Sequence, residues 1–150
     1  FLLITSSLFS PSPCFRYFWK VRRNRESGIS EERDANMNSP LLSKSKSFAL
    51  EIIKVCNEIK RSKRESVLTN QLIRSGTSVG ANIREAMYAH GKADFIAKLQ
   101  IALKECSESE YWLELLLESG CYDEPAILKQ CVEVKRLLIA SINTAKRNQA

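Results

Sequence analysis

Histidine is almost missing from this sequence, since His90 is the only one in 150 residues. His90 is expected at a helix end beside Gly91, a position that argues against a histidine-based catalytic triad, and one histidine cannot form a multi-histidine metal site within one chain. The Glu-x-x-His motif of di-iron helical bundles is also absent. Glutamates are frequent between residues 105 and 118, and we assign them to a solvated helix face. We therefore expect no enzymatic activity, no cofactor and no bound metal.

Paired cysteines and long apolar runs are lacking as well. The five cysteines are widely spaced, odd in number and contain no Cys-x-x-Cys motif. This pattern suits neither a zinc site nor a disulfide framework, and favours small buried side chains in a reducing cytoplasm. No apolar run approaches the roughly 18 residues of a membrane span. We expect a cytoplasmic protein that does not enter the membrane.

The first 36 residues lack the period of a helix or a strand. Their basic residues follow the apolar stretch, whereas a secretory signal peptide places them before it. Met37 is the first methionine. We expect residues 1–40 to be a disordered or non-native extension, with the functional protein starting near Met37. A basic arm that folds on a partner is the alternative.

From there onward the apolar residues follow a helical period. Phe48, Ile52 and Val55 are spaced four and three, which places them on one face of a helix. Similar stripes predict four helices in a domain covering residues 41–150, at about 45–62, 66–90, 93–119 and 124–147. Short connections make neighbouring helices antiparallel. The sequence predicts an all-α, up-and-down antiparallel four-helix bundle.

Glycine, aspartate and proline mark the predicted helix ends. We expect the second helix to end near His90 and Gly91, where glycine can adopt the left-handed cap conformation. The fourth helix is expected to use Asp123 as its N-cap and to carry Pro125 in its first turn.

The stretch "IRSGTSVGANIREA", residues 73–86, carries many poor helix formers within the second helix. Its glycines, serines and threonine give up roughly 3 kcal/mol of helix preference. Gly76 and Gly80 lie on one face, an arrangement that lets two helices approach closely. We predict that a helix or subunit contact uses Gly76, Ser78, Gly80, Asn82 and Ile83. An anion site formed by the serine hydroxyls with Arg74 or Arg84 is the alternative.

Positive charge is in excess, with a formal net charge of +6. Clustered lysine and arginine favour binding to a polyanion such as nucleic acid. The candidate nucleic-acid contacts are Lys60, Arg61, Lys63, Arg64, Arg74 and Arg84. A solvated turn is the alternative for the four residues between 60 and 64.

The segments "QLIRSGTSVGANIREA" and "FIAKLQIALKECSESEYWLELLLESG" resemble the family of proteins encoded in 23S ribosomal RNA intervening sequences. The accessory protein of diversity-generating retroelements is similar to that family. Arg74, Ser78-Val79, Asn82-Ile83 and Glu85 follow the family order, whereas Ile73 and Ala86 depart from it.

The resemblance implies a non-enzymatic bundle that assembles into a ring, often a pentamer. Its basic surface would contact RNA or DNA and, in the retroelement branch, a reverse transcriptase. We therefore expect a homo-oligomeric nucleic-acid-binding protein. A protein-interaction scaffold that does not bind nucleic acid is the alternative.

Overall fold

A computed structural model describes residues 39–147 of the protein. Helix α1 spans Pro40–Lys63, α2 Val67–Ala86, α3 Lys92–Glu118 and α4 Ala126–Arg147. No strand occurs among these described residues. The extension predicted at the N-terminus falls on residues that are almost entirely outside this range.

The four helices form a closed ring of neighbours. Helix α1 packs against α2 and α4, and helix α3 packs against the same two. Because each connection is short, consecutive helices run in opposite directions. The predicted up-and-down antiparallel four-helix bundle is confirmed.

The predicted apolar stripes form the core between the helices. The largest buried side chains include Phe48, Ile52 and Ile59 of α1, Leu72 and Ile83 of α2, Phe95, Leu99, Leu113 and Leu116 of α3, and Ile127 and Leu138 of α4. Burial of each of these side chains stabilises the fold by about 1.5–3 kcal/mol before the entropy of ordering is subtracted. None of the helices in residues 39–147 is both long and apolar enough to cross a membrane.

Helix α1 begins five residues before the predicted start. Pro40 occupies its first turn, where the fixed φ of proline suits a helix and no N–H is lost from the backbone ladder. The Ser43 N–H donates to the Ser39 carbonyl over 3.0 Å, and Leu41 is buried. The apolar period that starts at Phe48 therefore underestimates the helix.

The turn between α2 and α3 differs from the prediction. Helix α2 ends at Ala86, and Gly91 is extended (φ −162°), where it is the N-cap of α3. The expected left-handed conformation of Gly91 is wrong. Instead, the Met87 N–H donates to the Arg84 carbonyl over 3.1 Å, as in a tightened last turn. Such a turn ends the helix without a left-handed residue.

The start of α4 also needs correction. The helix begins at Ala126, so Asp123 is too far upstream to be its N-cap. The Pro125 carbonyl accepts a hydrogen bond from the Lys129 N–H over 3.2 Å, which makes Pro125 the residue that precedes the helix. Proline disfavours helical geometry in the residue before it, and this keeps Glu124 outside the helix.

Candidate nucleic-acid interface

Gly76 of α2 faces the Ile52 side chain of α1 at close range. A Cβ atom at this position would overlap Ile52 Cδ1 and would lie 3.3 Å from Ile52 Cγ1. Ile52 itself is fully buried, so it has little room to move. The missing side chain at Gly76 lets the Ile52 side chain fill the space between the helices.

Ser75 lies on the side of α2 that faces α3, where its small side chain allows close packing. The Ser109 hydroxyl donates to Ser75 Oγ over 2.9 Å, and the Ser75 hydroxyl donates to the Gln71 carbonyl over 3.1 Å. Both serines are fully buried. Small polar residues therefore bring α2 and α3 close together, with their hydroxyl groups hydrogen-bonded.

The remaining residues of the predicted packing set have mixed positions. Ile83 is in the core, whereas Gly80 is half-buried with ordinary spacing, 3.7 Å from an added Cβ to the Ser45 carbonyl oxygen. The Ser78 hydroxyl donates to the Arg74 carbonyl over 2.8 Å, and the Asn82 amide donates to the Ser78 carbonyl over 2.9 Å. These polar groups bind their own helix, which leaves the Ser78 hydroxyl hydrogen unavailable to an anion in this conformation.

Arg74 is engaged by α3. Its guanidinium forms an ion pair with Glu108, and its Nη1 lies 3.9 Å from Glu105 Oε2. Arg74 Nε donates to Gln71 Oε1 over 3.3 Å, and Trp112 Nε1 donates to Glu108 over 3.2 Å. Two carboxylates thus face one guanidinium, so this site has no positive charge in excess.

The four basic residues in the segment 60–64 lie at the end of the bundle that contains the α1–α2 turn. Lys60 Nζ donates to Asn70 Oδ1 over 2.7 Å, while Arg61, Lys63 and Arg64 are exposed. Arg64 adopts the left-handed conformation (φ 56°) that ends α1. The α3–α4 connection, which contains two acidic residues, closes the same end of the bundle.

Arg84 lies at the other end, in the last turn of α2. Twenty residues separate it from Arg64, which corresponds to about 30 Å along a helix. The six predicted nucleic-acid contacts are therefore divided between the two ends of the bundle and the paired position of Arg74. They do not form one surface.

The charge of the bundle differs between its two halves. We divide the helices at two contacts, the one between Ile52 of α1 and Gly76 of α2 and the one between the sulfur atoms of Cys106 of α3 and Cys131 of α4. We call residues 39–52, 77–105 and 132–147 the basic half, and residues 53–76 and 106–131 the mixed half. The basic half carries ten lysines and arginines against five acidic residues, and the mixed half carries seven against eight.

Of the residues in this basic half, the contacts predicted from the sequence include only Arg84. The lysines and arginines that it contributes besides Arg84 are Lys44, Lys46, Lys92, Lys98, Lys104, Lys135, Arg136, Lys146 and Arg147. They are scattered along the chain, so no single window reveals them. A count of the charged residues in each half of every predicted helix, combined with the predicted antiparallel topology, reveals them.

No group of three or more histidine, cysteine, aspartate or glutamate residues within 39–147 is arranged to hold a metal ion. The described residues form a four-helix bundle in which lysine and arginine outnumber the acidic residues in one half. The profile of the family described as "23S rRNA-intervening sequence protein" matches residues 38–140. The chain belongs to this family.

A solved structure with the same fold comes from Bacteroides thetaiotaomicron. It is described as a protein of unknown function from the S23 ribosomal protein family. The two chains are 44% identical with a TM-score of 0.67, and the match covers 68% of this chain and 97% of the other. A search of curated proteins finds no match to this chain.

Proposed function

We propose that this protein is a non-enzymatic, homo-oligomeric bundle that binds RNA or DNA through exposed lysine and arginine side chains. The observation that carries the proposal is the charge of the basic half, with ten basic residues against five acidic ones. Phosphate groups bind such a surface because association releases their condensed counterions. The family name refers to ribosomal RNA, which agrees with an RNA partner.

The homo-oligomer is supported by apolar side chains on the flanks of the bundle. Leu50, Ile101 and Ile139 are 51%, 43% and 41% exposed, respectively. They lie along the helices rather than at the turns, so lateral association would cover them and leave the ends of the bundle accessible. Light scattering of the full chain tests the assembly, for which the family resemblance implies a pentamer.

Binding is tested with fluorescence anisotropy on the full chain, using labelled RNA and DNA at about 50 mM and about 200 mM salt. We expect affinity to fall steeply between the two salt concentrations. The variant Lys92→Glu/Lys146→Glu reverses two charges in the basic half, and Arg61→Glu/Lys63→Glu makes the same change in the mixed half. The first variant is expected to lose more affinity than the second.

Failure to bind either nucleic acid at low salt, by a protein that still assembles, would contradict the proposal and support a protein-interaction scaffold.

The resemblance also implies a reverse transcriptase as a partner in one branch. A reverse transcriptase gene beside this gene, or a position inside a ribosomal RNA gene, would assign the branch. We propose a cytoplasmic location, for which the support is the odd number and wide spacing of the cysteines in the sequence.

A further inference from the structure

The turn between α2 and α3 presents an aromatic ring to solvent. Tyr88 is 68% exposed, and within residues 39–147 its side chain forms no hydrogen bond or ring contact. Tyr111 is 52% exposed, but its ring lies 5.1 Å from that of Trp112. Tyr88 therefore has an accessible ring face at the end of the basic half.

Basic residues flank Tyr88 on both sides along the chain. Arg84 lies four residues before it, Lys92 lies four residues after it, and neither has a carboxylate within 4.0 Å among the described residues. Glu85 is paired with Lys98 at 2.6 Å, and Asp94 accepts a hydrogen bond from the His90 N–H over 3.1 Å. Lys98 thus compensates the charge of Glu85, a backbone N–H holds the Asp94 carboxylate, and neither flanking cation is paired with a carboxylate in the described chain.

Throughout the basic half, lysines and arginines without an ion pair outnumber acidic residues without one. Its lysines and arginines without a carboxylate partner in the described chain are Lys46, Arg84, Lys92, Lys104, Arg136 and Lys146. Asp94 is its one acidic residue that lacks an ion pair within residues 39–147. In the mixed half the acidic residues that form no ion pair within residues 39–147 are Glu58, Glu65, Glu114, Glu118, Asp123 and Glu124. The basic residues of the mixed half that lack an ion pair in the described chain are Lys60, Arg61, Lys63, Arg64 and Lys129. Its unpaired charges therefore nearly cancel, and it attracts phosphate less strongly than the basic half does.

Helix dipoles do not create this difference between the ends. Each end of an antiparallel bundle contains two helix N-termini and two helix C-termini, whose partial charges oppose one another. The side chains therefore decide which end attracts phosphate.

We propose that the α2–α3 turn binds unpaired nucleotides, with a base stacked on Tyr88 and the flanking phosphates held by Arg84 and Lys92. This inference rests on the proposed nucleic-acid binding and specifies its partner as a single strand or an RNA loop. Bases inside a duplex are stacked on each other, whereas unpaired bases are free to stack on an aromatic side chain. The site would tolerate different sequences because every base has a face that can stack.

The test compares two probes, a labelled strand of about 12 uridines and an RNA duplex of the same length, each titrated with the full chain at low salt. We expect the wild type to prefer the single strand. Tyr88→Ala should weaken single-strand binding by about 5- to 150-fold and leave duplex binding nearly unchanged. Tyr88→Phe retains the ring and should bind as the wild type does. Tyr111→Ala is the matched control and should have little effect.

Three results would overturn the inference. If Tyr88→Ala binds the single strand as tightly as the wild type while Lys92→Glu/Lys146→Glu binds weakly, the proposed function stands but the stacking site does not exist. If the wild type binds neither probe, the proposed function fails and the stacking site fails with it. If Tyr88→Ala changes the number of subunits measured by light scattering, Tyr88 instead contacts a second copy of the chain.

Discussion

Cys106 of α3 and Cys131 of α4 face each other in the core, with their sulfur atoms 3.7 Å apart. Each thiol also approaches the other residue's carbonyl, with Cys106 Sγ 3.5 Å from the Cys131 oxygen and Cys131 Sγ 3.4 Å from the Cys106 oxygen. Both side chains are fully buried. The small thiols allow the two helices to pack closely at this level.

The different burial of the cysteine side chains predicts the order in which their thiols react with an alkylating agent. The hydrogen bond with Cys106 and burial raise the pKa of Cys131, and burial raises the pKa of Cys56 to about 12. Because the thiolate is the reactive form, these two thiols should resist alkylation in the native protein at pH 8. Cys121, which is half-buried, should react much faster.

Mass spectrometry after iodoacetamide treatment measures this order, with a sample unfolded in guanidinium as the control. We expect all of these thiols to be modified after unfolding. Rapid native labelling of Cys131 would show that α3 and α4 separate readily in solution.

The contact between Gly76 and Ile52 predicts opposite effects at the two glycines of α2. Gly76→Ala should lower the free energy of unfolding by about 1–3 kcal/mol, since the new methyl group overlaps the buried Ile52 side chain. Gly80→Ala should raise the free energy of unfolding by up to about 1 kcal/mol, because its surroundings accommodate a methyl group and alanine favours the helix. Urea denaturation of both variants measures these changes.

A second substitution separates overlap from other effects at Gly76. Ile52→Val removes the Cδ1 atom that the new methyl group would overlap. Gly76→Ala should therefore cost less in the Ile52→Val background than in the wild type. Equal costs in both backgrounds would assign the destabilisation to another cause.

Much of the fold follows from the sequence, because the apolar period is imposed by burial itself. Phe48 and Ile52 must face the same core in any arrangement that removes them from water. The helix ends depend on single hydrogen bonds, which is why the cap geometries that the sequence predicts at Gly91 and Asp123 are wrong.

The candidate site was harder to predict for a different reason. Charges that lie close together in the bundle come from four separate helices, so the sequence reveals the Lys60–Arg64 cluster but not the larger basic half. Whether a given arginine is available also depends on its neighbours in space. Arg74 has carboxylate partners 31 and 34 residues away along the chain, and no local pattern indicates them.

The start of α2 predicts a dependence of stability on pH. Glu65 accepts hydrogen bonds from the Leu68 and Thr69 N–H groups over 2.8 Å and 3.0 Å. Although burial opposes the shift, these bonds lower the pKa of Glu65 below its usual 4.5. The contribution of this cap to stability is therefore present above pH 4.5 and is lost as the pH falls through the lowered pKa.

We expect Glu65→Ala to lower the free energy of unfolding at pH 7 by about 1 kcal/mol. The difference between the variant and the wild type should shrink below pH 4, because protonation removes the anionic cap from the wild type. Urea titrations at several pH values measure this convergence. A difference that remains constant down to pH 2 would contradict the role of the ionised carboxylate.

The ion pair between Arg74 and Glu108 predicts how the two arginines of α2 differ in nucleic-acid binding. The carboxylates of Glu105 and Glu108 compensate the charge of Arg74, whereas Arg84 is exposed and has no carboxylate partner in the described chain. Arg74→Gln should therefore weaken RNA binding less than Arg84→Gln, and the slope of log affinity against log salt should fall mainly for the Arg84 variant. Glu108→Gln is the complementary variant, since it makes the Arg74 guanidinium more available and should strengthen binding slightly. A larger loss of affinity for Arg74→Gln than for Arg84→Gln, with folding intact by circular dichroism, would place the nucleic acid along the α2–α3 flank instead of at the end of the basic half.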